Sequence, residues 1–269
     1  MYKFGLKLWS INKNYVEEAI RLYEQGLYDY IELFAVPNSY QDFVEVWKSL
    51  KVPYVIHAAH SAKGLNLAKK EMFPENLILA NEAKKFADEL NAQTIIFHPG
   101  VDGRIEETAN QLNKIYDSRI VIENKPYYGI YDNLICNGSL PEEIEFIIKN
   151  TNVGFCLDIG HAIYAANAKK IDQVNFIKDF LKLKPKMFHL SDGDWNGVYD
   201  LHKHLGTGNF DFLKIFSILP DHVIISIETE KSFKDSLRDF EEDIIFLRKT
   251  INKNEKNKNC NSYNKTMEY

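Results

Sequence analysis

Apolar residues recur along the chain in two alternating patterns. Short runs at Phe4 to Trp9, Tyr28 to Phe34, Val52 to Ala58, Thr94 to Phe97, Ile120 to Ile122, Val153 to Leu157, Met187 to Leu190 and Val223 to Ile227 read as strands. Between them the spacing is helical. From Asn14 to Gln25, Val16, Ala19, Ile20 and Tyr23 share one face, and Gly26 ends the segment. Further helices are predicted at Gln41 to Leu50, Glu75 to Leu90, Ile105 to Tyr116, Pro141 to Lys149, from the sixth strand to about Leu183, Phe210 to Leu219, and Lys231 to Thr250. Pro141 suits a first helical turn.

Eight strand–helix units in a chain of this length predict an α/β protein, a single-domain (β/α)8 TIM barrel over residues 1–251. A doubly wound open sheet is the alternative, but no glycine-rich phosphate turn follows any strand. Residues 252–269 are rich in Asn and Lys and almost free of apolar side chains, the pattern of a disordered tail. Their charge is too sparse and mixed for a nucleic-acid-binding arm.

Composition narrows the class of partner. With 269 residues and 45% apolar content the chain can bury a large core, and a net charge of −5 excludes an overall basic surface for nucleic acid. The three cysteines, Cys136, Cys156 and Cys260, show no paired spacing, which predicts a reduced, cytoplasmic setting. Residues Met1 to Lys7 lack a signal-peptide core, and no apolar run approaches the ~20 residues of a membrane span, so no membrane partner is expected.

Chemistry-bearing residues collect at strand ends. His57 follows the third strand, His98 the fourth, Glu123 the fifth, and Asp158 and His161 the sixth. His189 lies in the seventh, Asp200 and His202 in the loop after it, and Glu228 at the end of the eighth. A single histidine after a strand is more often a hydrogen-bonded structural residue than a ligand. In a barrel, however, these ends converge on one mouth. Nine such groups there carry more unpaired charge than a cavity tolerates without cations. Imidazole and carboxylate without thiolate suit zinc, manganese or a similar divalent ion. Between Asp158 and His161, Gly160 is expected to turn the backbone sharply.

The motifs in order are His57, Phe97-His98-Pro99-Gly100, Val121-Ile122-Glu123-Asn124, Leu157-Asp158-Ile159-Gly160-His161-Ala162 and Phe188-His189-Leu190-Ser191-Asp192. Asp200-Leu201-His202, Leu205-Gly206-Thr207-Gly208-Asn209 and Ile227-Glu228-Thr229 complete them. Together they resemble the metal motifs of the endonuclease IV family, within the xylose-isomerase-like TIM-barrel superfamily that also holds sugar isomerases and epimerases. The resemblance runs from about residue 4 to 245. It implies a trinuclear zinc centre. His57, His98 and Glu123 would hold one ion, Glu123 with Asp158, His189 and Glu228 a second, and His161, Asp200 and His202 the third.

The chain also departs from that family. Leu6-Lys7-Leu8-Trp9-Ser10 replaces a histidine and paired glycines in the first strand. Ala35-Val36-Pro37-Asn38-Ser39-Tyr40 lacks the arginine and glutamine of the DNA-contacting loop, and His60 stands where an aromatic wedge is expected. These gaps weaken duplex DNA as substrate and favour a small phosphorylated or sugar substrate.

Two mechanisms share the ligands. In a phosphoester hydrolase, with abasic sites in DNA among its candidate substrates, Glu123 bridges two ions and positions the nucleophile, Glu228 faces it, and Lys125, Lys203 and His204 meet phosphate charge. In a sugar or sugar-phosphate isomerase or epimerase, one ion, Mn or Mg among the options, sits on Glu123, Asp158, His189 and Glu228. Glu123 and Glu228 then act as an acid/base pair, with His60, His98 and His161 on substrate hydroxyls. His57, Asp200 and His202 have no metal role in the second scheme, which favours the first. A non-catalytic metal- or sugar-binding barrel is the third class.

Overall fold

Side-chain alternation along eight short strands decides what faces the helices and what fills the centre of the protein. In the computed structural model the strands are β1 (Lys3–Trp9), β2 (Tyr30–Phe34), β3 (Tyr54–His57), β4 (Ile95–Phe97), β5 (Ile120–Glu123), β6 (Gly154–Asp158), β7 (Met187–Leu190) and β8 (Ile224–Ile227). All neighbours pair in parallel and β1 returns to β8, closing the predicted TIM barrel. The structure describes residues 2–129 and 134–266, with side chains as far as residue 256.

One set of strand positions, including Leu6, Leu33, Ile56, Phe97, Ile122, Leu157, Phe188 and Ile225, packs outward into a core shared with the helices. The other set points inward. There Tyr30, Val55, Ile96, Val121, Cys156 and Met187 form a separate apolar plug. Gly5 makes room for that plug, since a Cβ on it would collide with the Tyr30 ring. Two residues further along each strand, the same inward face carries Lys7, Glu32, His57, His98, Glu123, Asp158, His189 and Glu228. The polar layer is thus the next storey of the barrel interior, at the C-terminal strand ends where active sites of this architecture lie.

The helices are α1 (Val16–Glu24), α2 (Tyr40–Lys48), α3 (Phe73–Glu89), α4 (Ile105–Ile115), α5 (Pro141–Asn150), α6 (Ile159–Lys169), α7 (Gln173–Leu181), α8 (Phe212–Ile218) and α9 (Arg238–Thr266). Most match their predicted positions. The last begins at Arg238 and not at Lys231, because carboxylates of its first two turns are used to hold the loops before it. Asp239 accepts from Ser232 N at 2.6 Å, and Asp243 accepts from Thr229 Oγ1 at 2.6 Å and from Leu205 N at 2.7 Å. Lys231 therefore lies on a loop. The helix also continues beyond residue 251, into the segment expected to be disordered, and Asn254 is buried with its amide donating to the Phe216 carbonyl.

After β7 the chain folds around a single carboxylate. Asp192 accepts from the backbone N–H groups of Gly193, Gly206, Gly208 and Phe210 at 2.7–3.1 Å. Gly208 is required for this approach, since a Cβ there would collide with the Asp192 carboxylate. Asp192 and Lys203 also exchange two backbone hydrogen bonds of 2.9 Å, which close the loop that presents Asp200 and His202.

Candidate metal centre

The inward polar layer assembles into adjoining clusters. His57 Nε2 and His98 Nε2 lie 3.2 and 3.0 Å from Glu123 Oε2. The other Glu123 oxygen faces His161 Nδ1 at 3.1 Å, so one carboxylate spans two groups of ligands. Asp200 Oδ2 lies between His161 Nε2 and His202 Nε2, at 3.0 and 2.7 Å. His189 Nδ1 looks onto three carboxylates, 2.8 Å from Glu228 Oε1, 3.4 Å from Glu123 Oε2 and 4.0 Å from Asp158 Oδ2. The nine residues expected from sequence therefore meet at one mouth.

The histidines are oriented from behind. His57, His161 and His202 each donate Nδ1–H to a backbone carbonyl, of Ala58, Asn124 and Glu228 respectively, at 2.6–2.9 Å. That bond leaves Nε2 as the free nitrogen, and in all three it faces a carboxylate. Two acceptors facing each other at this range need a proton or a cation between them. His202 adopts a left-handed backbone with φ of 43° to reach this position, a conformation uncommon outside glycine and asparagine.

Asp158 and His161 owe their spacing to helix capping. Asp158 is the N-cap of α6 and its Oδ1 accepts His161 N–H at 2.6 Å, the N3 contact of a capped helix. Gly160, expected to make a sharp turn, is helical; its role is packing, with a Cβ there coming within 3.3–3.4 Å of Ser191 Oγ and Asp158 Oδ1. Asn124 locks the strand end by exchanging side-chain hydrogen bonds with both backbone groups of Asp158, at 2.7 and 2.9 Å.

Two participants are missed by sequence reasoning. Glu32, fully buried, accepts from His189 Nε2 at 3.0 Å and from Ser226 Oγ, whose partner in turn is the Tyr30 hydroxyl. Lys7, its lateral neighbour across β1 and β2, reaches Glu32 Oε1 at 3.1 Å and bonds Glu228 Oε1. The available signal is a charge inside an otherwise apolar run, Leu6-Lys7-Leu8 and Ile31-Glu32-Leu33. Burial opposes the Lys7 charge, but Glu228, Glu32 and Glu123 overcome this and raise its pKa.

The electrostatics suit cations. Burial works against charge on His161 and His202, yet Asp158 and Asp200 push His161 up to about 10 and Asp200 pushes His202 up to about 9. Glu123 Oε1, His189 Nδ1 and Asp200 Oδ1 are buried without a hydrogen-bond partner among the described residues. Each such atom costs about 1–3 kcal/mol unless something coordinates it. A nitrogen-and-oxygen donor set of this kind fits zinc or manganese.

The layer opens into a cavity of about 1020 Å³. Of the four residues expected to contact substrate, His60 and Lys125 line it. His60 packs against Phe34 and His98, with ring centroids at 5.2 and 5.8 Å, and burial together with the Lys125 charge pushes it down to about 3. Lys125 Nζ lies 3.3 Å from His161 Nε2 and 3.7 Å from Glu123 Oε1. Lys203 and His204 are not brought to this wall. Lys203 belongs to the Asp192 backbone bridge, and His204 is held by Asp243 and Ser232 at 3.0 Å each.

A closed parallel barrel with clustered histidine and carboxylate side chains at its C-terminal mouth defines a TIM-barrel protein with a candidate metal centre. Residues 20–250 match the family described as xylose isomerase-like TIM barrel, and the chain belongs to it. Two uncharacterised proteins of Methanocaldococcus jannaschii are 26% identical over 226 residues (75% of this chain, 72% of the relative) and 24% identical over 210 residues (73% and 76%). Among solved structures, a D-tagatose 3-epimerase-like protein is similar with a TM-score of 0.70 and 22% identity, over 95% of this chain and 99% of that one. Endonuclease IV from Thermus thermophilus is similar with a TM-score of 0.69 and 22% identity, over 93% and 99%. At these identities the likeness is one of fold, and it extends to a nuclease and an epimerase-like protein alike. Among the described residues no helix is long and apolar enough to cross a membrane.

Proposed function

We propose that this chain is a divalent-metal-dependent phosphoester hydrolase of the endonuclease IV type, acting on a small phosphorylated substrate. The observation that carries this reading is the triad His161–Asp200–His202. Both histidines turn Nε2 to one Asp200 oxygen, and both are pinned at Nδ1 by backbone carbonyls. An isomerase with a single ion needs no such second set.

In this reading His57, His98 and Glu123 hold one cation; Glu123, Asp158, His189 and Glu228 a second; and His161, Asp200 and His202 a third. Zinc or a similar ion bound there supplies Lewis-acid chemistry, polarising the phosphoryl group and lowering the pKa of water. Glu123, with one oxygen toward His57 and His98 and the other toward His161, orients the attacking group between the clusters. Glu228 faces it from β8, fixed by Lys7. Lys125 and His60, in the cavity wall, bind the oxygens of the substrate. The net charge of −5 and the loop Ala35 to Asn38, which carries no cation, favour a small ligand over duplex DNA.

One observation supports an isomerase or epimerase as the second reading. Glu123, Asp158 and Glu228 all approach His189 Nδ1, a set sufficient for one Mn, Mg or Zn ion. Glu123 and Glu228 would then move the proton as acid and base. The packed Trp9 and Phe34 rings, 5.3 Å apart, would offer a sugar face.

Elemental analysis of the native protein tests the choice, with hydrolysis assays on a generic phosphomonoester, a phosphodiester and an abasic-site duplex, and epimerisation assays on ketoses. Close to three metal equivalents with phosphoester cleavage is expected. A single equivalent with ketose epimerisation would hand the case to the second reading.

A further inference from the structure

Lys7, Lys69, Lys125 and Lys231 line the cavity and are not equivalent; Lys69, before α3, forms no ion pair with a described carboxylate but has no anchoring side-chain bond either. Lys7 is paired with Glu228 and Glu32, and Lys125 lies 3.7 Å from Glu123. Lys231, on the loop between β8 and α9, forms no ion pair with any described carboxylate. Its Nζ makes one hydrogen bond, to the Thr229 carbonyl at 2.7 Å. That bond anchors the side chain and leaves two of three N–H donors unused. Glu230, the nearest acid in sequence, is exposed and lines the same cavity without pairing with Lys231, its backbone N–H going to the His202 carbonyl.

Asp239, Asp243, Glu228 and Lys7 act on Lys231 through space, and none of them forms an ion pair with it. Trp9, Asn12 and Tyr15, from the end of β1 and the loop after it, line the same cavity, as does Thr229. Tyr15 holds the loop in place by donating its hydroxyl to the Phe233 carbonyl at 2.6 Å. Burial pushes Lys231 down to about 8, against the opposing effect of Asp239, Asp243 and Glu228. A poorly solvated ammonium with free donors in a cavity wall is completed by an anion.

We propose that Lys231, with the Asn12–Tyr15 side of the mouth, forms an anion subsite separate from the candidate metal ligands. It follows that the substrate is a small phosphoester bearing a second anionic group, a phosphate or a carboxylate, in addition to the reacting phosphoryl group. The cavity has room for both ends of such a molecule. This proposal rests on the hydrolase reading and names the substrate class within it.

Calorimetry on the zinc-loaded chain tests it with hydrolysis-resistant phosphonate analogues of three ligands: a hexose monophosphate, the bisphosphate of the same hexose, and the phosphorylated aldonic acid derived from it. At least one of the two ligands with a second anion should bind about tenfold or more tightly than the monophosphonate. The one that does identifies the anion. Lys231→Met should abolish that advantage and Lys231→Arg should keep it, with bound zinc equal in all three proteins. If neither added anion improves binding, or the advantage survives in Lys231→Met, the subsite is overturned while the hydrolase reading stands. If the monophosphonate itself fails to bind, the hydrolase reading falls, and the subsite with it.

Discussion

Glu32 takes the Nε2–H of His189 at 3.0 Å, and this single contact decides which nitrogen His189 offers to the mouth. A carboxylate only accepts, so the proton sits on Nε2 and Nδ1 is turned to Glu228, Glu123 and Asp158. The relationship is the carboxylate–histidine support found behind metal ligands. Replacing Glu32 by Gln keeps the shape but offers an amide in place of a charge. Zinc affinity should fall by roughly 10–100-fold, measured by competition with a chromophoric chelator. Unchanged affinity would mean that His189 is no ligand.

The third cluster makes a separable prediction. His202 is joined to the rest of the mouth through Asp200, the Glu228 carbonyl and, at 3.8 Å, the Glu228 carboxylate. His202→Ala should lower the metal content by close to one equivalent and leave the sites on His57 and His189 loaded. Elemental analysis before and after dialysis against a weak chelator reads this directly. Loss of all metal from the variant would argue for a single shared site.

Lys7 should matter most when metal is absent. Its ammonium is then, with His189, a neutralising partner of two buried carboxylates, Glu32 and Glu228. Removing one partner of a buried pair costs about 3–5 kcal/mol. Lys7→Met should therefore melt well below the native chain after metal stripping. Zinc should close part of the gap, since a cation on Glu228 replaces part of the lost charge. An equal melting difference with and without zinc would show that Lys7 and the metal do not share Glu228.

What can be read from sequence follows from where each residue stands on its strand. His57, His98, Glu123, Asp158 and Glu228 lie at or just past the end of an apolar run, so the break in pattern announces them. Glu32 and Lys7 lie inside their runs, with apolar neighbours on both sides that face the helices. Only the closed register of the barrel reveals that their face is the one shared with the ligands. Lys203 and His204 mislead in the opposite way. They neighbour His202 in sequence, but in the loop held by Asp192 the Lys203 backbone forms the bridge to Asp192 and the residue stays exposed, while the His204 ring is taken by Asp243. Sequence adjacency does not survive an irregular loop. The N-cap role of Asp158 is open to inference, since a residue at a strand-to-helix junction three before His161 has the spacing of a cap, whereas Gly160 between them suggests a turn instead.

The charge on Lys231 gives a pH dependence whose sign is fixed by burial. Its folded-state pKa of about 8 lies below the 10.5 of a free lysine, with Asp239, Asp243 and Glu228 favouring the charge and Lys7 opposing it. Well below pH 8 the side chain is protonated whether folded or not, and the folded protein carries the whole cost of the partly buried ammonium. Between about pH 8 and 10.5 the folded chain releases its proton before the unfolded chain does, so this contribution to stability rises with pH. Lys231→Met removes the group at every pH. Its melting advantage over the native protein, worth on the order of 1–3 kcal/mol, should be full at pH 7 and shrink steadily above pH 8. Loss of the bond to the Thr229 carbonyl adds an offset that does not vary with pH, so the slope alone is diagnostic. Thermal melts of both proteins from pH 7 to pH 10 supply it, and a difference that stays flat across that range would mean that Lys231 is fully solvated and holds no anion in waiting.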